Sequence, residues 1–464
     1  MLTARFTLLG LLALSLLSNA SQSETVLKGR SYQPGDAILR CGKLIDGLSE
    51  SPLPDQTVTI KAGRITSVQP TAEFTHNDNE GETTDLSDFT CLPGLINTHV
   101  HFDGNPEDSV DYSIYARRTR EETLQLVLHN AKTTLLTGFT TVRHVGAWFP
   151  DTVYLAKSLI ERGAALGPRI QTAGPYLTIP GGGGDLRFPE ILPEEIPPES
   201  QQGIAQTPDE FRVKAEEAIL GGADFLKVIA SGAVFSVGAS PGAPEMTRAD
   251  IEAVVAVAKA YDKKVTAHVH SDQSGLDAIL AGVDSLEHAS LLTKSTVELA
   301  LERGVALSMD VYNGTYTDVV GREQGYPEVF LERNTETTEA QRSVFQYAHK
   351  IGVTLLYGTD AAVLPHNMGG WQFSIMEHLG MTPMETIRSA TSVPAEHMEI
   401  AADVGAIEPG RLGDLIAVRG DPLRDLTLLR QVHFVMKGGK ILKTHALLST
   451  VNEPSPVRKQ EALR

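Results

Sequence analysis

The sequence predicts an α/β protein: a TIM-like (β/α)8 barrel with a small β-sandwich domain assembled from the N- and C-terminal segments. The main observation is that apolar, strand-like runs alternate with helix-like stretches through the middle of the chain, as in parallel barrels. The predicted barrel strands are Leu95–His101, Thr140–Val145, Arg169–Ala173, Phe225–Ala230, Lys264–His268, Ser285–His288, Ala306–Met309 and Thr354–Asp360.

The second observation is that both ends of the chain are rich in short strands separated by turn residues. The N-terminal strands are Ala37–Cys41, Thr57–Lys61 and Arg64–Gln69, and the C-terminal strands are Asp414–Val418, His433–Lys437 and Lys440–Lys443. We therefore predict a composite β-sandwich from residues 36–92 and 404–450, around a barrel spanning 93–403. Residues 21–35 are predicted to be a polar lead-in, and residues 451–464 a C-terminal tail.

Two segments between the barrel strands have informative patterns. Ala249–Tyr261 has apolar residues at helical spacing, and Thr382-Pro383-Met384-Glu385 is typical of a capped helix start. Pro175–Thr207, after the third barrel strand, contains Gly181–Gly184 and several prolines and is long for a βα loop. This position predicts a lid over the barrel mouth.

Composition and charge exclude several classes of protein. The chain has 464 residues, of which 41% are hydrophobic, so general disorder is excluded. The formal net charge of −18 argues against a nucleic-acid partner and against affinity for anionic membranes.

Residues 1–20 have the pattern of a cleavable signal peptide. Arg5 precedes the apolar run Phe6–Leu17, and Ser18-Asn19-Ala20 provides a small-residue cleavage site. We expect an exported protein, periplasmic or secreted and without stable membrane insertion, with an uncleaved anchor as the alternative. Cys41 and Cys91 lie in strand-like apolar runs and are interpreted as small buried residues, with one disulfide as the alternative in an exported protein.

Ionisable residues cluster at the predicted C-terminal ends of the barrel strands, where barrel enzymes place their catalytic groups. His99 and His101 are two apart on one strand, so both rings face the barrel interior. Lys227, His268, His288 and Asp360 come from four other strands. Imidazole and carboxylate groups in this number predict a centre for one or two divalent metals, with zinc as the default.

Lys227 is the unusual member of this set. Burial beside cations would lower the pKa of its amine, and the neutral amine can react with carbon dioxide. The resulting carbamate would be an anionic ligand that bridges two metals.

At these positions the sequence resembles the amidohydrolase superfamily of metal-dependent hydrolases. The similar segments are LPGLINTHVH, GFTTVRHVG, GPRIQTAG, TDAAVLPH, MTPMETIRSATSVPAEH and VGAIEPGRLGDLIAVRGDPL. DVYNGTYTDVV and LERNTETTEAQR resemble the Xaa-Pro dipeptidase branch. Some members of that branch cleave dipeptides with C-terminal Arg or Lys, and relatives hydrolyse N-acyl amino acids and ochratoxin.

The resemblance implies a role for each matching position. His99 and His101 would bind the more buried metal, carbamylated Lys227 would bridge, and His268 and His288 would bind the more exposed metal. Asp360 would ligate the buried metal and act as proton shuttle for a metal-bound hydroxide that attacks an amide. Homo-oligomers are also implied by the relatives.

Several positions depart from the pattern of the branch and leave the substrate open. Gly181–Gly184 replaces Gly-Gly-His, Ala233 replaces a glycine, Asn97 replaces an aspartate, and His144 occupies a position where Asp or Asn is common. Further candidates for substrate contact are His144, His270, Tyr312 and His366, each with packing or loop structure as its alternative role.

We therefore expect an exported binuclear amidohydrolase that cleaves a dipeptide or an N-acyl amino acid, a small-molecule substrate. The alternatives are a cyclic amide or imine hydrolase, similar to imidazolonepropionase, and a non-catalytic binding protein on a barrel scaffold.

Overall fold

The structure is a computed structural model that describes residues 35–75, 82–188, 191–236 and 238–444. The predicted signal peptide, nearly all of the polar lead-in and the C-terminal tail lie outside the described residues. In the described part of the chain, no helix is both long and apolar enough to cross a membrane.

The described residues contain strands at both ends and alternating strands and helices between them. The strands are β1 (Ala37–Leu44), β2 (Leu53–Lys61), β3 (Arg64–Pro70), β4 (Thr83–Pro93), β5 (Leu95–Val100), β6 (Phe139–His144), β7 (Arg169–Thr172), β8 (Leu226–Ile229), β9 (Val265–Val269), β10 (Ser285–His288), β11 (Ala306–Ser308), β12 (Leu355–Leu356), β13 (Leu415–Arg419), β14 (Phe434–Lys437) and β15 (Lys440–Lys443). The α-helices are α1 (Ser113–Arg117), α2 (Arg120–Leu136), α3 (Pro150–Glu161), α4 (Pro208–Gly221), α5 (Arg248–Ala260), α6 (Asp272–Ala281), α7 (Lys294–Arg303), α8 (Asn313–Tyr316), α9 (Arg322–Gln324), α10 (Glu328–Ile351), α11 (Gln372–His378), α12 (Pro383–Ser389) and α13 (Ser392–His397).

The two ends of the chain meet in one sheet, in the strand order β15-β14-β13-β4-β1-β2-β3. The structure thus has one seven-stranded mixed sheet where the sequence predicted a composite β-sandwich. The reason is β4, which the sequence pattern did not reveal because Thr, Ser and Asp residues interrupt its apolar run. It pairs with β1 on one side and with β13 on the other, and so joins the N-terminal to the C-terminal strands.

Side-chain alternation gives this sheet two buried faces. One face forms its own core, to which Leu39, Cys41 and Phe434 contribute. Residues of the other face, such as Ile416 and Val435, pack into the core of the barrel domain.

Cys41 and Cys91 form a disulfide, with their Cα atoms 5.9 Å apart. The interpretation of two unpaired buried cysteines is therefore wrong. The parallel pairing of β1 with β4 places Leu44 beside Cys91 and brings the two thiols together, although 50 residues separate them in sequence.

The central eight strands, β5 to β12, are parallel and follow chain order in two groups, β5-β6-β7 and β8-β9-β10-β11-β12. Backbone hydrogen bonds connect the groups on both sides. Leu177 N donates to Lys227 O (3.0 Å), and Thr98 N donates to Tyr357 O (2.8 Å). The α/β class is confirmed. Each predicted barrel strand is present, β10 with the predicted bounds and the other seven with shifted or shortened ends.

The two predicted helical segments are also present. The apolar positions Ile251, Val254 and Ala258 form the buried face of α5. The helix α12 begins with a capping box, because Thr382 Oγ1 accepts from Glu385 N (3.2 Å) and the Glu385 carboxylate accepts from Thr382 N (2.8 Å).

The long segment after β7 is held by apolar packing. Its residues Leu186, Phe188 and Ile196 form a buried cluster with Tyr115 of α1 and with Trp148, which follows β6. This cluster fixes the segment on the side of the barrel at which the strands end.

We expect the double variant Cys41→Ala/Cys91→Ala to fold with a free energy of unfolding about 2–4 kcal/mol lower than the wild type, because the cross-link restricts the unfolded chain. Urea denaturation under non-reducing conditions measures the change. Reduced wild-type protein is the matched control, since it keeps both side chains and lacks the bond. Two free thiols on titration of the purified, denatured wild type would contradict the disulfide.

Candidate active site

The six residues predicted as metal ligands come together in one cavity at the carboxyl ends of the central strands. His99 lies on β5, Lys227 on β8, His268 on β9 and His288 at the end of β10, while Asp360 follows β12. Parallel strands end on the same side of a barrel, so residues distant in sequence converge there. The residues that share the cavity lining are His99, His101, Lys227, His268, His270, His288 and Asp360.

Asp360 lies close to His99 of β5 and to His101, which follows that strand. Its Oδ1 is 3.2 Å from His99 Nε2 and 3.3 Å from His101 Nε2. On the opposite side, the His288 ring centroid lies 4.9 Å from that of His99 and 4.5 Å from that of His268.

Two sets of potential ligand atoms are compact enough to hold a metal ion, with all atoms of a set within 4.8 Å of one another. One set is His99, His288 and Asp360, and the other is His268, His270 and His288. The structure thus places His288 in both sets and adds His270, for which the sequence suggested only a substrate contact.

Three of the imidazoles have a hydrogen-bond partner at Nδ1. His99 Nδ1 lies 2.8 Å from Glu287 Oε2, His288 Nδ1 lies 3.0 Å from Asp310 Oδ1, and His101 Nδ1 lies 3.0 Å from Gly146 O. A carboxylate or carbonyl oxygen can only accept, so each of these Nδ1 atoms carries the proton. In the neutral form of such a ring, a proton on Nδ1 leaves the Nε2 lone pair free to bind a metal.

Burial keeps most of these rings neutral. Desolvation lowers the pKa of His101 and that of His270 to about 3, and the pKa of His268 falls well below its usual range. Neutral imidazole is the form that binds metals, so the three rings need not lose a proton first at neutral pH.

Lys227 is 1% exposed. Burial lowers the pKa of its ammonium to about 8, although the neighbouring carboxylates Glu287 and Asp360 act in the opposite direction. The amine is therefore deprotonated far more readily than that of a surface lysine.

Glu287 is the most important residue that the sequence analysis missed. Its fully buried carboxylate accepts from His99 Nδ1 and from Thr266 Oγ1 (2.5 Å), and it forms an ion pair with the guanidinium of Arg143. Arg143 also donates from Nε to Thr98 O (2.9 Å). The signal in the sequence is a glutamate inside the buried strand SLEH, where an unpaired charge would be very costly.

A second carboxylate supports His288. Asp310 accepts from His288 Nδ1, from Gln341 Nε2 (2.8 Å) and from Asn313 Nδ2 (2.9 Å). Gln341 belongs to α10, so this helix helps to orient a potential ligand on β10.

Two of the potential ligands have left-handed backbone conformations. The φ angle is 66° at His288 and 51° at Asp360. Such conformations are unfavourable for residues other than glycine and concentrate at functional sites, where the surrounding structure holds them.

The other substrate candidates differ in location. His270 lines the cavity, with its Nδ1 2.9 Å from Ser290 Oγ. His144 is buried behind His101 and accepts from Phe102 N at its Nε2 (2.9 Å). The side chains of Tyr312 and His366 are buried but do not line the cavity. Tyr312 packs on Trp371, and His366 Nε2 lies 3.0 Å from Gly104 O.

One wall of the cavity is aromatic. The rings of Tyr176, Trp148 and Tyr115 form a row that begins beside His101. The ring centroids are 5.7 Å apart for His101 and Tyr176, 5.5 Å for Tyr176 and Trp148, and 4.4 Å for Trp148 and Tyr115. Gly183, from the predicted lid, also lines the cavity. Trp148 Nε1 donates to Gly184 O (2.9 Å) and links the wall to that segment.

Comparisons with known proteins identify the family of this chain. Residues 90–442 match the amidohydrolase family. The ochratoxinase of Aspergillus niger is 28% identical over 379 residues, which cover 76% of this chain and 75% of the relative.

Two crystal structures share the fold over most of the chain. One is a Xaa-Pro dipeptidase with methionine bound in its active site, at 30% identity and a TM-score of 0.81, covering 88% of this chain and 100% of the other. The second is an amidohydrolase at 26% identity and a TM-score of 0.80, covering 88% and 99%. With the family match extending from β4 to β15, the chain belongs to the amidohydrolase family and is a hydrolase that acts on carbon–nitrogen bonds.

Proposed function

We propose that this protein is an exported, binuclear metal-dependent amidohydrolase that cleaves the amide bond of a dipeptide or an N-acyl amino acid. The observation that supports this most strongly is the convergence of five imidazoles, a buried lysine and Asp360 in one cavity. A barrel used only for binding would have no need of a buried lysine among five histidines.

The donor set fits two divalent ions. His99, His101 and Asp360 would hold one, while His288 with His268 or His270 would hold the other. Zinc suits this combination of imidazole and carboxylate ligands. When bound, such ions polarise an amide carbonyl and make water a better nucleophile at neutral pH.

Lys227 would complete the centre as a carbamate. Its neutral amine would attack carbon dioxide, forming a C–N bond and releasing one proton, so that a neutral amine becomes an anionic oxygen donor. Burial, which favours the neutral amine, supports this modification.

The remaining residues orient the reacting groups and move protons. Glu287 and Asp310 hold the rings of His99 and His288, so that their Nε2 atoms face the cavity. Asp360, close to His99 and His101, would accept the proton of the attacking water and deliver it to the leaving nitrogen. The aromatic wall would limit access of bulk water to the amide.

The relatives support the proposed substrate class. An ochratoxinase, and a dipeptidase with methionine in its active site, both match most of this chain. Amides of amino acids are therefore the first substrates to test.

Export is part of the same proposal. A disulfide between Cys41 and Cys91 is favoured in an oxidising compartment, and the signal-peptide pattern precedes it in the sequence. Periplasmic or secreted locations both satisfy these observations. A homo-oligomer remains an expectation from the resemblance.

We expect the zinc-reconstituted protein, assayed with bicarbonate, to release free amino acids from a library of dipeptides and N-acetyl amino acids. Asp360→Asn should lower kcat by about 10²- to 10⁴-fold, because proton transfer is lost. Lys227→Ala should reduce both activity and the number of bound metal ions. Lys259→Ala, at an exposed position on α5, is the matched control.

The outcomes of this screen separate the alternatives. Ring opening of cyclic amides without amino-acid release would favour the cyclic amide hydrolase. Failure to bind divalent metal after reconstitution would favour a binding protein and would refute the proposed function.

We expect Glu287→Gln to weaken metal binding about 10- to 100-fold, because the charge that orients His99 is lost. Competition with a chelator measures the affinity, at a temperature where circular dichroism shows the variant to be folded. Ser285→Ala is the control, because it removes a hydroxyl that accepts from Arg143 and leaves the His99–Glu287 contact intact. Unchanged metal affinity in Glu287→Gln would contradict the role of this carboxylate.

A further inference from the structure

Asp103 is a buried carboxylate at the edge of the cavity that the proposed mechanism does not use. It lies two residues after His101, is 3% exposed and contributes to the cavity lining. Its Oδ2 has no hydrogen-bond partner among the described residues. A buried, unsatisfied charge in a native protein calls for a physical explanation.

The neighbouring histidine does not satisfy this carboxylate. Asp103 Oδ1 lies 3.5 Å from His144 Nε2, but that nitrogen already accepts from Phe102 N at 2.9 Å. One nitrogen of a neutral imidazole cannot accept a proton and donate one at the same time. Oδ1 and Nε2 therefore face each other as two acceptors.

The nearest guanidinium is also engaged elsewhere. Arg118 pairs with Asp108, with 2.8 Å from Nη1 to Oδ2, and reaches only the backbone oxygen of Asp103, at 3.4 Å. Lys227 is the sole lysine in the lining formed by described residues, and no arginine is present there. No lysine or arginine side chain of the described lining residues therefore forms an ion pair with the Asp103 carboxylate.

The surroundings of Asp103 suit a cation from outside the protein. Tyr115, Trp148 and Tyr176 line the same cavity, and their rings form the aromatic row that begins beside His101. Aromatic faces attract ammonium groups, and a carboxylate adds a charged acceptor. A positive group of the substrate would satisfy Asp103, whereas a neutral acyl group would leave it unpaired.

We propose that Asp103, together with Tyr115, Trp148 and Tyr176, binds an ammonium group of the substrate. The inference rests on the proposed function and narrows it. The preferred substrate is a dipeptide or a related aminoacyl amide that carries a positive charge, and N-acyl amino acids without one are poor substrates. The charge can be the α-ammonium or a side-chain ammonium, which share the same recognition chemistry.

The first test compares substrates that differ in a single charge, using the metal-loaded enzyme. L-Alanyl-L-methionine carries an ammonium group where L-lactoyl-L-methionine has a hydroxyl. We expect kcat/KM to be about 10- to 100-fold higher for the alanyl compound, the range of a charge-assisted hydrogen bond. Nα-acetyl-L-lysyl-L-methionine tests the side-chain source, because it keeps only that ammonium.

Asp103→Asn should abolish the preference by lowering kcat/KM for the alanyl compound and changing that for the lactoyl compound by less than about threefold. The ratio of the two values does not depend on the folded fraction of the variant. Asp111→Asn removes the same charge from an exposed position on the same loop and should keep the wild-type ratio. Equal losses for both compounds in Asp103→Asn, or a loss of bound metal, would overturn the proposal and indicate a role in holding His101.

A binding measurement separates this proposal from the proposed function. Calorimetry with metal-loaded Asp360→Asn compares the affinities of the same two methionine compounds without turnover. Tighter binding of the alanyl compound, lost in Asp103→Asn/Asp360→Asn, supports the ammonium site even if the wild type hydrolyses neither compound. Equal affinities refute it even if hydrolysis occurs.

Discussion

The carboxylate of Glu287 is the interaction on which the geometry of the site depends. It is completely enclosed by protein, so its charge must be compensated by Arg143 and by hydrogen bonds from Thr266 and His99. These partners come from separate strands, β6, β9 and β5. Compensation of one buried charge therefore fixes the relative positions of the strands that carry the cluster, in addition to the tautomer of His99.

The same principle extends from Glu287 to the other side of the cluster. Asp310 is buried next to His288 and takes its remaining hydrogen bonds from Gln341 and Asn313. His99 and His288, which each have a carboxylate at Nδ1, thus have fixed rings with Nε2 directed at the cavity. Asp103 differs from both carboxylates, since its Oδ2 has no hydrogen-bond partner among the described residues. This contrast is why a ligand, rather than the fold, is the natural partner for its charge.

Apolar packing by the segment after β7 shields one wall of the cavity from solvent. The segment after β7 contributes apolar residues to a cluster with Tyr115 and Trp148, and the same two aromatic residues line the cavity. Stability of the segment and shape of the substrate site are therefore coupled through shared side chains. The glycines at 181–184 allow the backbone of this segment to approach closely, as shown by Gly183, where an added Cβ would lie 3.2 Å from Ile229 and 3.3 Å from Ala233.

Much of the fold was predictable from local pattern. Period-two and period-3.6 hydrophobicity identified the eight central strands and α5, and the capping residues located the start of α12. β4 was not predicted, because its polar residues weaken the apolar alternation. Without this central strand, the continuity of the sheet formed by the terminal strands was not foreseen. The disulfide was also not predicted. The two cysteines are brought together by the register between β1 and β4, which a local sequence pattern does not indicate.

The sequence by itself determined which chemical groups meet at the site. His99, His101, Lys227, His268, His288 and Asp360 follow from the rule that parallel barrel strands end on the same side, which needs only strand positions. Tertiary structure alone decided which atoms of these groups face one another, because ring orientation depends on partners such as Glu287 and Asp310 on other strands. It also decided that Tyr312 and His366 lie outside the cavity lining, while Asp103 and the aromatic wall lie within it. Side-chain direction and burial arise from packing between distant segments, and a linear pattern does not contain that information.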